Sequence, residues 1–450
     1  MLFSSLDLAP EIQRALDACG YRDMTAIQEK AIIPARRGKD LLATAQTGTG
    51  KTAAFALPVL QQMAVNPQEA LPQFPRAVIL TPTRELAEQL AETIGAYARF
   101  MSINVSAVFG GVKLSSQQKK LSAGVDLLIA TPGRLLEHLE LCNVHLSKVE
   151  YVVLDEADRM LDMGFIADVK TILSHTPEKR QTLLFSATTS QPVNDLAKVL
   201  LNQHEVISVS KKNATADTVE HVVYAVEERR KPELFVELLE QHNWFKVLVF
   251  TSTKAQADEL MRILKIVKVK AAVCHSDKSQ GARRRAIADF KSDKVQVLIA
   301  TEVAARGLDI QGLEHVVNYN LPYLAEDYVH RIGRTGRAGA RGQAISFVSR
   351  EEERTLNNIE RLIGSHVKRI TMPGFEVGSR ESLLDNLEKH ARPARTNKPS
   401  ETNISQGRGG YKTESKKAPI NKESTKQSRP KTKTVKKKKA KKKTAKKKKK

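Results

Sequence analysis

Three acidic residues follow a short apolar run within four positions of one another. The run covers residues 151–154, and Asp155, Glu156 and Asp158 come directly after it. Apolar runs rich in β-branched residues are typical of buried parallel strands, and open α/β sheets bind ligands at the carboxyl ends of such strands. The spacing therefore predicts that Asp155 holds Mg²⁺ through water, and that Glu156 is the general base acting on an attacking water molecule.

A glycine-rich segment upstream supplies the other half of this chemistry. Residues 45–52 read Ala-Gln-Thr-Gly-Thr-Gly-Lys-Thr and follow the strand-like residues 40–44. Glycines let the backbone turn tightly and approach a phosphate, which then meets loop amides and the amino end of the next helix. Lys51 would reach the β- and γ-phosphates, and the Thr52 hydroxyl would bind Mg²⁺. The predicted phosphate-binding residues are Thr47, Gly48, Thr49, Gly50, Lys51 and Thr52.

Two interpretations of this glycine-rich segment compete. The strict phosphate-loop pattern has glycine at its first position, where this chain has Ala45. An ordinary Gly-Thr turn ahead of a helix would also account for the segment taken alone. The acidic strand end about a hundred residues later favours a site that hydrolyses a nucleoside triphosphate, because such a site needs both parts.

Positive charge is concentrated at the carboxyl end of the chain. The 450 residues carry a formal net charge of +23, and residues 391–450 hold 24 Lys or Arg against 3 Glu. This tail therefore carries +21, and the preceding 390 residues carry only +2. Its polar composition cannot bury enough apolar surface to fold. The sequence predicts a nearly neutral folded body with a disordered basic tail that binds polyanions.

The remaining composition argues against several classes of site. Cys19, Cys142 and Cys274 lie far apart, which argues against a zinc site or a disulfide framework and favours a reducing compartment. The first residues have neither the basic nor the apolar region of a signal peptide, and no apolar run approaches the length of a membrane span. We expect a cytoplasmic protein with no structural metal and no membrane partner.

Strand-like and helix-like segments alternate in two successive halves of the chain. Such alternation predicts an α/β fold with doubly wound, mostly parallel sheets. The predicted domains are residues 1–207 and 219–375, with a polar linker at 208–218 and the tail at 376–450. The predicted strands are 40–44, 77–81, 103–108, 126–130, 151–154 and 182–186 in the first domain, and 219–226, 246–250, 269–274, 295–300, 314–319 and 342–348 in the second.

The residues Asp-Glu-Ala-Asp at 155–158 give the chain its resemblance to the DEAD-box RNA helicases. Further segments match that family's motifs in family order over about residues 1–370. The resemblance implies two tandem RecA-like domains that use ATP and Mg²⁺, with RNA as the partner. It implies RNA-stimulated ATP hydrolysis coupled to local duplex unwinding or ribonucleoprotein remodelling. The compact body with its basic tail resembles the bacterial RhlE-type group most.

The resemblance assigns further residues to the nucleotide site. Gln28 would hydrogen-bond the adenine edge with support from Thr25, and the rings of Tyr21 and Phe3 would pack on the base. Glu302 stands where the family usually has aspartate. The second domain would contribute two arginine fingers, a histidine that bridges to the first domain, a ribose ligand and a close backbone approach, namely Arg334, Arg337, His330, Asp309 and Gly307.

The same resemblance implies a coupling contact and an RNA surface. Asp158 would contact the segment of Ser186 and Thr188, which links ATP hydrolysis to RNA separation. Several strand-end segments supply amides, hydroxyls and guanidinium groups, which suit sugar–phosphate contacts that position a strand without reading its sequence. Ser252 and Ser276 stand where Arg and Gly are frequent. The implied RNA-binding residues are Pro82, Thr83, Arg84, Gly110, Gly111, Thr131, Pro132, Gly133, Arg134, Thr253, Gln280, Arg283 and Thr301.

Several alternatives stay open at the level of the sequence. A DNA-directed helicase or translocase would use the same core, and a non-catalytic RNA clamp or annealing scaffold would keep its RNA surface. The tail alone would also suit a solubility appendage or a nuclear address. Ribosomal or RNA-degradation ribonucleoproteins are a further expectation for the partners.

Overall fold

The computed structural model describes residues 1–46, 48–68, 71–209, 219–305, 310, 313–336 and 342–376. Within these ranges the chain forms two seven-stranded sheets, one in each half, and every strand pair in them is parallel. The predicted α/β fold with two tandem parallel-sheet domains is therefore confirmed. Residues 210–218 of the predicted linker and the predicted tail from residue 377 onward lie outside the described ranges.

The first sheet lies between two layers of helices. Its strands are β1 Leu41–Thr44, β2 Ala77–Leu80, β3 Val105–Val108, β4 Leu127–Ala130, β5 Tyr151–Leu154, β6 Gln181–Ser186 and β7 Glu205–Ser208. Its helices are α1 Pro10–Ala18, α2 Ala26–Arg36, α3 Lys51–Val65, α4 Arg84–Tyr97, α5 Leu114–Ser122, α6 Pro132–Glu140, α7 Ala157–Asp162, α8 Ile166–Ser174 and α9 Gln191–Leu200. The strand order is β3-β4-β2-β5-β6-β1-β7.

The second sheet repeats this architecture. Its strands are β8 Val219–Ala225, β9 Val247–Thr251, β10 Ala271–Cys274, β11 Val297–Thr301, β12 His315–Asn318, β13 Gly342–Val348 and β14 Lys368–Ile370. Its helices are α10 Lys231–Gln241, α11 Lys254–Ile266, α12 Gln280–Lys291, α13 Glu302–Ala305, α14 Ala325–Ile332 and α15 Glu353–Ile363. The strand order is β10-β11-β9-β12-β13-β8-β14. Among the helices described, none has the length and apolar character that a membrane span requires.

Alternate side chains of the central strands enter opposite faces of each sheet. In β1, Leu41 and Ala43 join one buried cluster, whereas Leu42 joins the cluster on the other face. Ile79 and Leu80 of β2 divide in the same way. A strand buried on both faces reads as a continuous apolar run, which is why the sequence pattern located these strands.

The two strands that the sequence did not predict, β7 and β14, both lie at sheet edges. In β7 only Ile207 is buried, and in β14 Lys368 and Arg369 are exposed. Edge strands need no apolar run because one side faces solvent. The sheet also continues into the predicted linker, since the N–H of Val209 donates to Thr44 O at 3.0 Å.

Asp40 joins three strands at the amino-terminal edge of the first sheet. The Asp40 side chain is 6% exposed, and its Oδ1 accepts the N–H of Thr182 in β6 at 2.8 Å. Its Oδ2 accepts the N–H of Asn202 at 2.8 Å, and its backbone oxygen accepts the N–H of Glu205 in β7 at 2.9 Å. The carboxylate thus satisfies two backbone amides where the strands begin.

We expect Asp40→Ala to lower the free energy of unfolding of the first domain by about 3 kcal/mol, because two backbone amides lose a charged acceptor. Asp40→Asn keeps one oxygen acceptor and should lose about half as much. Far-UV circular dichroism during urea unfolding measures the change. Trp244, the chain's only tryptophan, lies in the second domain, so its fluorescence midpoint should stay unchanged. Equal shifts of both signals would contradict a local role.

Candidate nucleotide site and RNA interface

The glycine-rich loop joins β1 to α3 through two left-handed glycines. Gly48 has a φ of 82° and Gly50 a φ of 90°, a region that residues with a Cβ rarely adopt. A Cβ at Gly50 would lie 2.3 Å from Gln28 Nε2. Lys51 is the first residue of α3, so loop amides and the positive end of the helix face the same space. Thr47 lies outside the described residues.

Lys51 places an unpartnered positive charge at this loop. Its side chain is 7% exposed, and within the described part of the chain its ammonium nitrogen has no hydrogen-bond partner. A buried charge without a partner is costly, and a phosphate group would satisfy it. The Thr49 hydroxyl donates to Gln46 O at 2.7 Å and braces the loop, while Thr52 is the next residue of α3.

Asp155 and Glu156 lie at the carboxyl end of β5, as the sequence predicted. Asp155 is 4% exposed, and its Oδ1 accepts the Glu156 N–H at 3.0 Å. Burial is the main cause that raises the pKa of Asp155, to about 7, and the charge of Lys51 opposes it. A buried carboxyl of this kind gains from a bound cation, which fits Mg²⁺. Glu156 is 8% exposed and has left-handed backbone angles, φ 55° and ψ 51°, immediately before α7.

Gln28 contacts the phosphate loop directly. Its Oε1 accepts the Thr25 N–H at 2.8 Å, and its Nε2 donates to Gly50 O at 3.1 Å. Thr25 and Gln28 form a capping box at the start of α2, which fixes the amide. One N–H and one lone pair of that amide remain for another partner. The predicted contact with adenine is compatible with this arrangement and stays a prediction.

The two aromatic side chains that the sequence placed near the base differ in exposure. Phe3 is 2% exposed and belongs to the domain core, whereas Tyr21 is 38% exposed. Their rings stack with centroids 6.1 Å apart, and the Tyr97 hydroxyl donates to the Tyr21 hydroxyl at 3.2 Å. Phe3 therefore offers little surface to a base and instead supports the ring of Tyr21.

The Asp158 side chain contacts the segment after β6 at a backbone amide of that segment. Its Oδ2 accepts the Ala187 N–H at 3.2 Å. Ser186 and Thr188 form a local turn, in which Ser186 Oγ donates to Thr188 O at 3.0 Å and accepts the Thr188 N–H at 3.2 Å. The Ser186 side chain and the Thr188 backbone thus shape the turn, and the amide of Ala187 between them makes the contact with Asp158.

The residue after Asp158 forms a buried ion pair with the second domain. Arg159 pairs with Asp327 of α14, and the two side chains are 5% and 7% exposed. Arg159 also pairs with Asp162 at 3.0 Å. His330 was predicted to bridge the domains, but its Nδ1 lies 3.9 Å from Asp327 on its own helix and has no hydrogen-bond partner among the described residues. Arg334 is 6% exposed and follows α14 by two residues.

Arg331 anchors α14 to its own domain. Its side chain is 2% exposed and pairs with Glu302 in α13. It also donates to Asn320 O at 2.7 Å, and its guanidinium lies 5.0 Å from the ring centroid of Phe250. Glu302, which stands where the family usually has aspartate, thus reaches a partner in this chain. The predicted site residues Arg337, Gly307 and Asp309 lie outside the described residues.

Three of the predicted RNA-binding residues of the first domain, Gly110, Gly111 and Arg134, lie near Arg84. A Cβ at Gly111 would lie 2.3 Å from Arg84 NH1, and one at Gly110 would lie 3.1 Å from Arg84 NH2. The two glycines therefore make room for the guanidinium. Burial, followed by the positive charge of Arg283, lowers the pKa of Arg84, and Arg134 adds to this effect. Arg84 and Arg134 of the first domain therefore lie close to Arg283 of the second domain.

Gln280 and Arg283, which were predicted to bind RNA, contact acids of the first domain in this structure. Arg283 NH2 lies 2.8 Å from Glu85 Oε2, and both side chains are nearly buried. Gln280 Nε2 donates to Glu85 Oε1 at 3.0 Å, and Arg284 pairs with Glu88. The sequence did not single out the two acids, although Glu85 follows Arg84 directly.

The other predicted RNA residues lie at the carboxyl ends of strands or at helix starts. Thr83, Thr131 and Thr253 each occupy the position before a helix, and Thr301 ends β11. Helix starts present backbone N–H groups, which suit phosphate oxygens. Pro82 follows β2, and Pro132 and Gly133 open α6.

Two protein-family models match the chain. The DEAD/DEAH box helicase model covers residues 25–196, and the helicase conserved C-terminal domain model covers residues 230–339. The chain is 41% identical to the ATP-dependent RNA helicase RhlB of Pseudomonas syringae pv. tomato over 376 residues, which span 82% of this chain and 95% of that protein. It is 39% identical to the DEAD-box ATP-dependent RNA helicase CshA of Geobacillus kaustophilus over 83% of this chain and 79% of that protein.

Solved structures give the same result. S. cerevisiae Dbp5 bound to RNA and ADP BeF3 matches with a TM-score of 0.74 and 30% identity, over 86% of this chain and 98% of that chain. The Dbp5 structure and the two bacterial relatives each match this chain over most of its length, so the match includes both domains. This chain belongs to the DEAD-box family of ATP-dependent RNA helicases.

The sequence predicted the motif residues of this helicase but not the ion pair that connects its domains. Asp155, Glu156 and Asp158 were found because a strand end with three acids is unusual. Arg159 and Asp327 were missed, because each looks like an ordinary surface charge until the fold brings them together. What distinguishes the two residues is that their charges are buried near the start of a helix. Burial is known only from the structure, so the sequence offered no sign of the pair.

We expect Asp327→Ala to lower the RNA-stimulated ATP turnover of this DEAD-box helicase by at least about tenfold, because removing one partner of a buried pair typically costs about 3 to 5 kcal/mol. ATP affinity should change little, since the phosphate loop and Gln28 lie in the first domain. Steady-state turnover at saturating RNA and titration with a fluorescent ATP analogue measure the two effects. Glu326→Ala, an exposed acid on the same helix, is the matched control. Equal turnover in both variants would contradict a linking role for the pair.

Proposed function

We propose that this helicase separates short RNA duplexes or remodels RNA–protein complexes by closing its two domains over ATP and one RNA strand. The observation that carries the proposal is the buried Arg159–Asp327 pair between the domains. It links the Asp-Glu-Ala-Asp segment to α14, which leads to Arg334. Closure would therefore bring the acids of one domain and the arginines of the other to the same phosphates.

The nucleotide site would divide its work among a few groups. The Lys51 ammonium and the loop amides would hold the β- and γ-phosphates. The Lys51 nitrogen, which has no hydrogen-bond partner in the described ranges, supports this assignment. Thr52 and Asp155 would hold Mg²⁺, which neutralises phosphate charge when bound. Glu156 would orient and deprotonate the attacking water. The remaining nucleotide contacts would come from Tyr21, whose ring Phe3 supports, and from Thr25, Gln28, Thr47, Gly48, Thr49, Gly50, Gly307 and Asp309. Arg334 and Arg337 would be the arginine fingers, and His330 would lie between the domains.

RNA binding would follow the backbone of a single strand. Arg84, Arg134 and Arg283 form a cationic group, and helix starts near them offer N–H donors. Such contacts hold sugar and phosphate without reading bases, so affinity should be largely independent of sequence. The Asp158–Ala187 bond would couple the nucleotide state to this surface.

The cellular setting is a finer part of the proposal. The basic tail after the second domain supports placement in the RhlE-type group, and bacterial relatives such as RhlB and CshA support a cytoplasmic helicase. Ribosomal or RNA-degradation ribonucleoproteins are the proposed partners. A DNA-directed helicase is the competing function, and comparing the stimulation of ATP turnover by single-stranded RNA and single-stranded DNA distinguishes the two. Greater stimulation by DNA would overturn the proposal.

Lys51 and Glu156 should fail in different ways when they are replaced. We expect Lys51→Ala to lose nucleotide affinity, because Lys51 contacts phosphates in the ground state. Glu156→Gln should bind ATP and RNA but lose at least about a hundredfold in turnover, because general-base catalysis typically contributes that much. Nucleotide titration and phosphate release measure the difference. Near-parental turnover of Glu156→Gln would exclude Glu156 as the base.

The basic tail should contribute RNA affinity but no catalytic group. Truncation after residue 385 should leave ATP turnover at saturating RNA unchanged, since every proposed site residue precedes it. RNA affinity should fall, and if about six lysines engage phosphates, the slope of log affinity against log salt should flatten by roughly four units. Salt titrations of both proteins on two unrelated RNAs give the measurement. Identical slopes would indicate a solubility appendage, and a loss on only one RNA would indicate specific recognition.

A further inference from the structure

Gln117 is a buried polar side chain in α5 that belongs to none of the motifs above. It is 4% exposed. Its Nε2 donates to Phe109 O at 2.9 Å, and Phe109 directly precedes Gly110 and Gly111. Its Oε1 accepts a hydrogen bond from Arg134 NH1 at 3.1 Å. One amide therefore connects two segments that are proposed above to contact RNA.

The orientation of the Gln117 amide is determined by its partners. The Phe109 carbonyl can only accept, so it must face the amide nitrogen. The guanidinium of Arg134 can only donate, so it must face the amide oxygen. Turning the amide by 180° would place two donors together and two acceptors together. The side chain therefore has a single arrangement that satisfies both segments.

His138 and Asn143 support that arrangement from behind. His138 lies one helical turn after Arg134 in α6 and is fully buried. Its Nε2 is 3.1 Å from Gln117 Oε1, and its Nδ1 is 3.2 Å from Asn143 Nδ2. Because Gln117 Oε1 can only accept, Nε2 carries the hydrogen and Nδ1 accepts from the asparagine. Burial, followed by the charge of Arg134, lowers the pKa of His138 and favours this neutral form.

Arg134 is held at further points on the same side. Its NH1 also donates to Val112 O at 3.0 Å, and Glu137 Oε2 lies 2.8 Å from its Nε. A free arginine side chain has about 2 kcal/mol of rotamer entropy to lose when it binds a phosphate. Contacts that already fix the side chain remove much of that loss before RNA arrives.

We propose that Gln117 is a positioning residue for RNA binding, which holds Arg134 and the Phe109–Gly111 turn in one fixed arrangement. Gln117 touches neither RNA nor nucleotide in this role and acts through Arg134 and the turn. The proposal rests on the proposed RNA contacts of those two segments. Apolar side chains would fill this space at lower energetic cost than a buried polar network. A role in positioning Arg134 and the Phe109–Gly111 turn would explain why the network is polar.

The test compares four full-length variants on a fluorescein-labelled oligouridine. Gln117→Leu removes all three hydrogen bonds of the amide, to Phe109, Arg134 and His138, at similar volume. Gln118→Leu makes the same change at the exposed neighbouring position. Arg134→Ala removes the proposed phosphate contact, and the Gln117→Leu/Arg134→Ala double variant measures their coupling. Thermal unfolding and ATP affinity are measured alongside, because a general folding defect would lower both together with RNA affinity, whereas loss of positioning would lower RNA affinity alone.

We expect Gln117→Leu to weaken RNA binding about fivefold, as loss of preorganisation in one rotamer-rich side chain would. The salt slope should flatten toward that of Arg134→Ala, by at most about 0.7 units. In the Arg134→Ala background the Gln117 substitution should add less than twofold. Gln118→Leu should bind as the parent does, and ATP affinity should be unchanged throughout.

Two results would overturn the proposal, and they differ from failure of the proposed RNA site. Parental RNA affinity in folded Gln117→Leu, or a full additional loss in the Arg134→Ala background, would show that Gln117 does not act through Arg134. If Arg134→Ala itself binds RNA normally, Arg134 does not contact RNA, and both the proposed RNA site and the positioning role of Gln117 are wrong.

Should Gln117→Leu not fold, Gln117→Glu is the alternative variant, because it keeps the acceptor for Arg134 and loses the donor to Phe109. It should keep the parental salt slope with weaker binding, and loss of the slope would overturn the proposal.

Discussion

The ion pair between Arg159 and Asp327 connects two domains that each hold only part of the proposed catalytic set. Taking either charge out of water alone costs several kcal/mol, and the cost is offset only when the partner is buried with it. The pair is therefore favourable only in an arrangement where α7 and α14 meet. Glu156 stands immediately before α7, and Arg334 follows α14. A constraint on two helices thus becomes a constraint on the distance between Glu156, the proposed base, and Arg334, the proposed arginine finger.

Each end of this pair is fixed within its own domain, which is why the constraint can be transmitted. On one side, Asp158 bonds the Arg159 N–H at 3.1 Å and the Ala187 N–H at 3.2 Å, so the segment carrying the arginine is tied to the end of β6. On the other side, Arg331 is bonded to Glu302 and to the backbone after β12. Both helices are therefore tied to their own sheets, and in the proposed mechanism a change at the phosphates would reach the RNA surface through rigid elements rather than loops.

The sequence predicted the central strands and the glycine-rich loop for a physical reason. Strands buried on both faces must be apolar throughout, and a phosphate loop requires glycine where φ is positive, as at Gly50. Contacts such as Arg159 with Asp327 leave no such pattern, because either residue would be equally suitable on a solvated helix. Gln117 was missed for the same reason. Edge strand β7 was missed because a half-exposed strand tolerates Glu205 and Val206. Long-range polar pairing is set by tertiary structure, which local patterns do not encode.

Arg283 combines a contact to the first domain with its proposed contact to RNA. Its NH2 is held by Glu85 of the first domain, while its Nε has no hydrogen-bond partner among the described residues. A guanidinium has five N–H donors in a fixed fork, so binding the carboxylate leaves donors for a phosphate. Glu85 also neutralises part of the positive charge that Arg84, Arg134 and Arg283 bring together. Without this acid, three arginines would repel one another as the domains approach. With it, the proposed closure would assemble the cationic surface before RNA phosphates complete its charge balance.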